Sequence, residues 1–249
     1  VSGLDWTRYR QRLEAIPEMA LNFDPDDLRE EHAESNGWHV DRHEVDLPAE
    51  PPGPPLAPEA PRASWAVACR IVRAYEFPDP KLITGVFEPD GDLEGRPMLL
   101  RARFLAFRFW LPVRVAEVVD ETRETDRGSA QVWGYSYTTL EGHFEKGQIW
   151  FEVWKWTDSG EVAFRIRAVS KPETIRNPFY RIGFKLFGRR LQLQFAHRAL
   201  ERMQRFVSEE LAARAASVPA KPREAPEVAP ASHDAEAAER LDEAERDAS

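Results

Sequence analysis

Trp133-Gly134-Tyr135-Ser136-Tyr137-Thr138-Thr139-Leu140-Glu141-Gly142-His143-Phe144-Glu145-Lys146-Gly147-Gln148 reads as strand, tight turn, strand. Trp133, Tyr135 and Tyr137 alternate with Val132, Gly134 and Ser136, the period-two pattern of an extended chain whose faces differ. Gly142 and Gly147 punctuate the turn. Between them His143 and Glu145 stand one residue apart, so an extended backbone points both side chains the same way. Nowhere else in the chain do a histidine, a carboxylate and two phenol hydroxyls crowd together.

Strands are expected on both sides of this turn, over Ala130–Thr139 and Gln148–Trp156. On the second, Trp150, Glu152, Trp154 and Trp156 share one face while Ile149, Phe151 and Val153 share the other, so both faces need cover. Asp158-Ser159-Gly160 signals a further hairpin, after which Val162, Phe164, Ile166 and Ala168 alternate with Arg165 and Arg167. Upstream, Leu82–Phe87, Pro97–Trp110 and Val113–Glu121 read as strands, with Pro112 at a bend or edge. Ser64 can cap a helix whose apolar face holds Trp65, Ala68, Cys69, Val72 and Tyr75. After Lys171-Pro172 the period becomes helical. A short helix runs from Asn177-Pro178 through Phe187, Gly188 allows a kink, and Arg189–Ala216 forms a long helix. Its stripe is Leu191, Phe195, Ala199, Met203, Phe206, Val207 and Leu211. This order predicts an α+β domain over residues 62–216: a curved antiparallel sheet gripping a long C-terminal helix, with a hollow between them.

Residues 1–61 form an acidic extension. It is expected to hold a helix over 4–16, a short acidic helix from Asp24-Pro25 through Glu34, a loosely alternating strand over Trp38–Leu47, and a stiff linker over Pro48–Pro61. The extension should dock on the body and cap the Trp face; a second copy of the chain, in a homodimer, is the alternative cover. Residues 217–249, rich in Ala, Glu and Pro, should be a disordered tail.

The 249 residues are 42% hydrophobic and carry a net charge of -9. That charge divides as -9 over 1–60, +5 over 61–216 and -5 over 217–249, so the acidity belongs to the ends and says little about partners. The single cysteine, Cys69, excludes an internal disulfide and a cysteine metal cluster, and its apolar helical setting fits a small core residue. No signal-peptide pattern and no membrane-length apolar run occurs, so a soluble cytoplasmic protein is expected. Metal-ligand spacing, a phosphate loop and a Gly-x-Ser-x-Gly elbow are all missing; no cofactor and no metal is implied, and His32, His39 and His43 are not read as ligands. The basic residues Arg176, Arg181, Lys185, Arg189, Arg190, Arg198, Arg202 and Arg205 are dispersed, which fits a solvated helix face rather than a nucleic-acid or membrane surface.

The quoted stretch, with Ala168-x-Ser170-Lys171-Pro172 and Gly188-Arg189-Arg190-Leu191-Gln192, resembles domain-of-unknown-function family nineteen-ninety, an uncharacterised family of bacteria and plants. The likeness covers residues 62–210. It implies a place near the START and birch-pollen-allergen-like helix-grip superfamily, and hence a hydrophobic ligand cavity; no reaction carries over. Tyr137, Gly142, His143, Glu145 and Gly147 agree with the family pattern. Gln148 stands where that pattern implies an acid, and Thr138 where it implies glycine.

The candidate site is therefore Tyr135, Tyr137, His143 and Glu145, with Arg101 and Arg103 as readers of an anionic group. His143 and Glu145 either form an imidazole–carboxylate pair fit for acid–base work or lock the turn through backbone hydrogen bonds. The tyrosines either hold a polar ligand head or simply pack. The arginines either meet a ligand or line a solvated face. Three functions stay open: binding a hydrophobic or amphipathic small molecule, a cyclase-, isomerase- or hydrolase-like enzyme using His143 and Glu145, and a protein-interaction module.

Overall fold

The computed structural model describes residues 5–29, 35–104, 107–173 and 178–217, leaving aside the side chains of 104, 107 and 178–188. Seven strands form one antiparallel sheet: β1 (His39–Leu47), β2 (Ile83–Val86), β3 (Pro97–Phe104), β4 (Phe107–Thr125), β5 (Gly128–Thr139), β6 (Glu145–Trp156) and β7 (Val162–Pro172). Their order is β1-β7-β6-β5-β4-β3-β2, so every neighbour in sequence from β2 to β7 is a neighbour in space, and β1 closes onto β7. Among the described residues three α-helices accompany the sheet: α1 (Arg10–Ala15), α2 (Ser64–Arg73) and α3 (Pro178–Ser217). The α2 helix and the second half of α3 lie on the inner face, which gives the expected helix-grip α+β architecture.

Alternation along the strands sorts side chains into two layers. Leu100, Val113, Tyr135, Phe151, Phe164 and Ile166 face inward and join Val67, Ile71 and Val72 of α2 and Ala199, Met203 and Val207 of α3 in one core. Phe77 packs on Phe151 and Phe164, with ring centroids 4.9 and 5.2 Å apart. This end of the palm is filled. The hollow expected beneath the whole helix is not found at this end, because the chain leaving α2 sends Tyr75 and Phe77 into the core there. Tyr75 ends α2 with φ 52°, in the left-handed region. Its N–H bonds Val72 O at 3.0 Å and the next N–H bonds Ile71 O at 3.1 Å, closing the helix in the way glycine usually does. A tyrosine there costs about 1–2 kcal/mol of backbone strain, offset by ring burial.

At the far tip of the filled end, Lys155 points inward, and its side chain and that of Glu50 are both 0% exposed, 2.7 Å apart. Glu50 also accepts from Leu56 N–H at 3.0 Å and from Trp65 N–H, in the first turn of α2, at 2.8 Å. Lys155 donates to Pro54 O at 2.8 Å. One ion pair thus ties β6, the proline-dense linker and α2 together. Its donors and acceptors are well matched, which is what makes a buried pair tolerable.

The extension does dock on the body. Its strand β1 is an edge strand of the same sheet, so the domain begins before residue 62. Leu13 and Ile16 cover Leu99 and Val86 on the outer face, and Trp38, with Phe23 and Leu28, covers Trp150. The rest of the Trp face is capped by arginines: Arg165 lies 4.2 Å over Trp154 and Arg127 3.9 Å over Trp156.

Other expectations need correction. The single strand Pro97–Trp110 is two antiparallel strands, one ending at Phe104 and the next beginning at Phe107; the uninterrupted apolar composition hid the break. Pro112 takes the edge alternative rather than the bend: it lies within β4 opposite Leu99, where pairing with β5 has not begun. Gly188 does not interrupt α3, which runs unbroken. The helix over 4–16 is a short α1 flanked by 3-10 turns; of the acidic helix through Glu34, Pro25–Leu28 is a 3-10 turn and residues 30–34 lie outside the described residues. Arg198 and Arg202 are not merely solvated: Arg198 pairs with Asp79 at 2.6 Å, and Arg202 donates to Phe77 O and Glu76 O at 3.1 and 3.2 Å. Arg176 and the tail 218–249 lie outside the described residues, as do the side chains of Arg181 and Lys185.

Lys155→Met should lower the unfolding free energy by about 3–5 kcal/mol, since Glu50 stays buried without its partner. The Glu50→Gln/Lys155→Met double variant should lose clearly less than the two single losses summed, as read by urea melts.

Candidate functional site

The turn between β5 and β6 is held from outside and inside. From the extension, Asn22 donates to Glu145 O at 2.8 Å and accepts from Thr139 Oγ1 at 2.7 Å, and Glu141 N–H bonds Ala20 O at 3.0 Å. Gly147 has φ 141°, and a Cβ there would sit 2.0 Å from Val169 O, so β6 and β7 approach as closely as they do only because that residue is glycine. Within the turn His143 is nearly buried, and its Nδ1 lies 3.0 Å from the Glu145 N–H and 2.9 Å from the Glu145 carbonyl oxygen. The imidazole therefore meets the backbone of Glu145. The carboxylate turns away and accepts from Gln192 Nε2 of α3 at 2.5 Å, while the same amide donates to Ser170 of β7 at 3.2 Å. The two residues are neighbours without forming an imidazole–carboxylate pair, and the ring acts as a turn lock.

Their titration follows from burial. Desolvation pulls His143 down to about 4 against its backbone hydrogen bond, so the ring is neutral. Desolvation lifts Glu145 to about 7; the Gln192 bond and the Arg189 charge work against the rise and Asp41 adds to it. Arg189 itself is hydrogen-bonded to Asp41 of β1, which holds that carboxyl below its usual range.

Tyr135 and Tyr137 both face inward and are buried. Tyr137 Oη lies 3.4 Å from Tyr75 Oη, and Tyr135 donates to Val72 O at 3.3 Å. Burial pushes all three phenols far above their ordinary range, so they act only as neutral hydrogen-bonding groups. The sequence reading gave Tyr75, Gln192 and Ser170 no place in the site, although Ser170 and Gln192 stand in the stretches that carry the family resemblance. Tyr75 looked like one more residue of a helix stripe, and the other two acquire a role only when α3 and β7 meet β6.

Around Tyr137 the inner face changes character. Ile83, Ala102, Phe109, Phe144, Ile149 and Phe195 are apolar and only half-buried. Phe109 and Phe144 stand edge to face, 5.0 Å apart. The pairings Tyr137↔Ile149 and Phe109↔Ala102↔Ile83 put this group at the end of the palm opposite the Glu50–Lys155 pair, next to Glu145 and Gln192. Arg101 and Arg103 do not join it. They alternate with Leu100 and Ala102, so they stand on the outer face with Leu99, the wrong side of the sheet for a ligand beneath α3. Gln148 also faces outward, donating to Ser136 Oγ at 2.7 Å.

A groove of about 620 Å³ crosses the outer face beside Trp150 and Trp154. Its charges are internally matched: Arg165 pairs with Glu44 at 2.5 Å, Arg123 with Glu152 at 3.2 Å, and the Trp150 and Trp154 indoles donate to Glu117 and Glu152 at 3.1 and 2.9 Å. Such a surface is a polar cap for the tryptophans. Among the described residues no group of His, Cys, Asp and Glu is arranged to hold a metal ion, and no helix is long and apolar enough to cross a membrane.

A raised folded value means that the native state keeps a proton the unfolded chain has released. The Glu145 contribution to stability is therefore full below about pH 4.5 and is lost as pH rises through about 7. His143 acts oppositely: its contribution is full above about pH 6.5 and is lost as pH falls through about 4. Between about pH 6.5 and 8 the protein should lose about 1 kcal/mol through Glu145. Glu145→Gln should abolish that decline in chemical melts run across the interval, whereas His143→Gln should leave it in place.

Comparison with known proteins follows the geometry. The family described as "Domain of unknown function (DUF1990)" matches residues 26–202, more than half of the chain. No curated protein matches. Among solved structures, Thalictrum flavum norcoclaurine synthase, a point mutant in complex with a transition-state analogue, is 12% identical, with a TM-score of 0.41 over 69% of this chain and 95% of that one. A hypothetical protein from Helicobacter pylori is 10% identical, with a TM-score of 0.39 over 78% and 95%. The protein Ara h 8.0201 is 9% identical, with a TM-score of 0.37 over 70% and 99%. The fold assignment rests on strand order and register rather than on these likenesses.

Proposed function

The chain belongs to the DUF1990 family, and from that premise we propose that it binds a hydrophobic or amphipathic small molecule at the open end of the palm. The apolar part of the ligand lies against Ile83, Phe109, Phe144, Ile149 and Phe195. Its polar head meets the Tyr137 hydroxyl or the Glu145–Gln192–Ser170 group. The observation that carries this reading is the change along one inner face, from fully buried aromatics around Phe151 to half-buried apolar side chains around Phe109. Half-buried aromatic and aliphatic groups beside a few convergent polar atoms are what a small-molecule site requires.

An enzymatic reading has one support, the Glu145 carboxyl held near neutrality, where a group can both give and take a proton. It lacks a His143 partner, since that ring meets the Glu145 backbone and not its carboxylate, and binding is the better-supported reading.

Native mass spectrometry of the protein purified from its host should show a retained small molecule. Phe109→Ser/Phe144→Ser, which replaces the apolar wall, should remove it. Tyr137→Phe should weaken its retention by about two- to tenfold, the effect of one hydrogen bond. Wild-type protein that carries nothing and takes up no added fatty acid would defeat the reading.

A further inference from the structure

At the open end of the palm, hydrogen-bond donors are left over among the described residues while the acceptors are spent. Gln192 uses both amide protons, on Glu145 Oε1 at 2.5 Å and on Ser170 Oγ at 3.2 Å. Its own oxygen accepts from Arg189 at 3.4 Å. The Ser170 oxygen is thereby engaged, and its O–H is left to donate. Tyr75 and Tyr137 share one hydrogen bond at 3.4 Å, so one of the two phenol protons remains.

Glu145 adds a third donor. Its carboxyl reaches α3 on the inner side of the sheet, and Tyr137 lies close enough to feel its charge. Among the described residues the cation that bears on it is Arg189, which is committed to Asp41 through both terminal nitrogens. Asp41 shares this face of β1 with His39 and His43, at alternate positions. Tyr75 and Tyr137 stay un-ionised, and His143 is neutral. A half-buried carboxyl without a counter-charge of its own holds its proton more readily, and the O–H then donates.

Three donors beside one apolar wall call for a head rich in acceptors. An ammonium has none, and an alcohol offers a single oxygen; a carboxylate offers two. Two carboxyl groups in contact do not both ionise, but hold one proton between them in a short, charge-assisted bond.

We propose that the ligand of this site is an amphiphilic carboxylic acid, whose head shares a single proton with Glu145 while Ser170 and Tyr137 donate to it. The acid arrives ionised. Where Glu145 is ionised too, binding draws one proton from solvent, and no bond of the ligand breaks. This inference rests on the small-molecule reading and specifies the head. Glu145 in the free protein titrates at about 7, so affinity should be level near pH 6 and fall about tenfold per pH unit above 7.

The test is isothermal titration of the full chain with octanoic acid, 1-octanol and octylamine between pH 6 and 8.5, in buffers of differing ionisation heat. Octanoic acid should lose about thirtyfold in affinity across that interval and take up nearly one proton at pH 8. Octanol should give a level profile. Glu145→Gln, whose amide donates at every pH, should flatten the octanoic acid profile. Three outcomes overturn the inference while leaving the small-molecule reading in place. One is a level octanoic acid profile in the wild type. Another is a slope that survives in folded Glu145→Gln, which would belong to His39 or His43. The third is octylamine as the tightest of the three probes. Uptake of none of them overturns the inference as well, and together with a native mass spectrum that shows nothing retained it overturns the reading beneath it.

Discussion

The inner layer closes on Phe151. Its ring lies 4.9 Å from Phe77, 5.5 Å from Tyr137, 5.9 Å from Tyr135 and 6.1 Å from Tyr75. Two of these partners come from the neighbouring strand and two from the segment that leaves α2. This cluster fixes how far α2 can approach the sheet. With α2 placed, the chain beyond it must cross the palm, and α3 packs Met203 and Val207 into what remains. The palm thus changes along its length: fully buried aromatics surround Phe151, and around Phe109 the described apolar side chains are half-buried. Tyr137 sits at the boundary, with its ring in the dense part and its hydroxyl near the transition.

The extension works on the other side of the sheet. It supplies an edge strand, covers the outer faces of Leu99 and Trp150, and pins the β5–β6 turn through Asn22. These roles share a cause. A sheet apolar on both faces needs a second layer, and here the described residues before β1 supply it as short segments. The turn that holds His143 and Glu145 is consequently coupled to residues more than a hundred positions away in sequence, which is why removal of the extension would disturb the site as well as the edge of the sheet.

Much of the fold was legible in the sequence. The alternation Trp133-Tyr135-Tyr137 and the stripe Ala199-Met203-Val207 each reported the face they bury, and the order of elements followed. What escaped has physical reasons. The β3–β4 turn lacks every residue that usually marks one. Lys155 continues the face of Ile149, Phe151 and Val153, but alternation does not name a partner for it, and that partner, Glu50, lies in a linker with no periodicity. The spacing of His143 and Glu145 was read correctly as a shared local unit, but spacing cannot tell whether a ring meets a carboxylate or the peptide that carries it. For Arg101 and Arg103 both a ligand and a solvated face were open, because alternation tells which residues share a face of β3 but not which face looks outward; that is fixed only when Leu13 and Ile16 cover Leu99.

The division of the palm can be observed directly through isoleucine methyl groups, since Ile83 and Ile149 belong to the open end and Ile71 and Ile166 to the filled one. Methyl spectra recorded while a medium-chain fatty acid is titrated in should show the Ile83 and Ile149 signals moving to saturation while those of Ile71 and Ile166 hold still. Movement of Ile71 and Ile166 instead, or saturable shifts confined to the outer face, would contradict a site at the open end beneath α3.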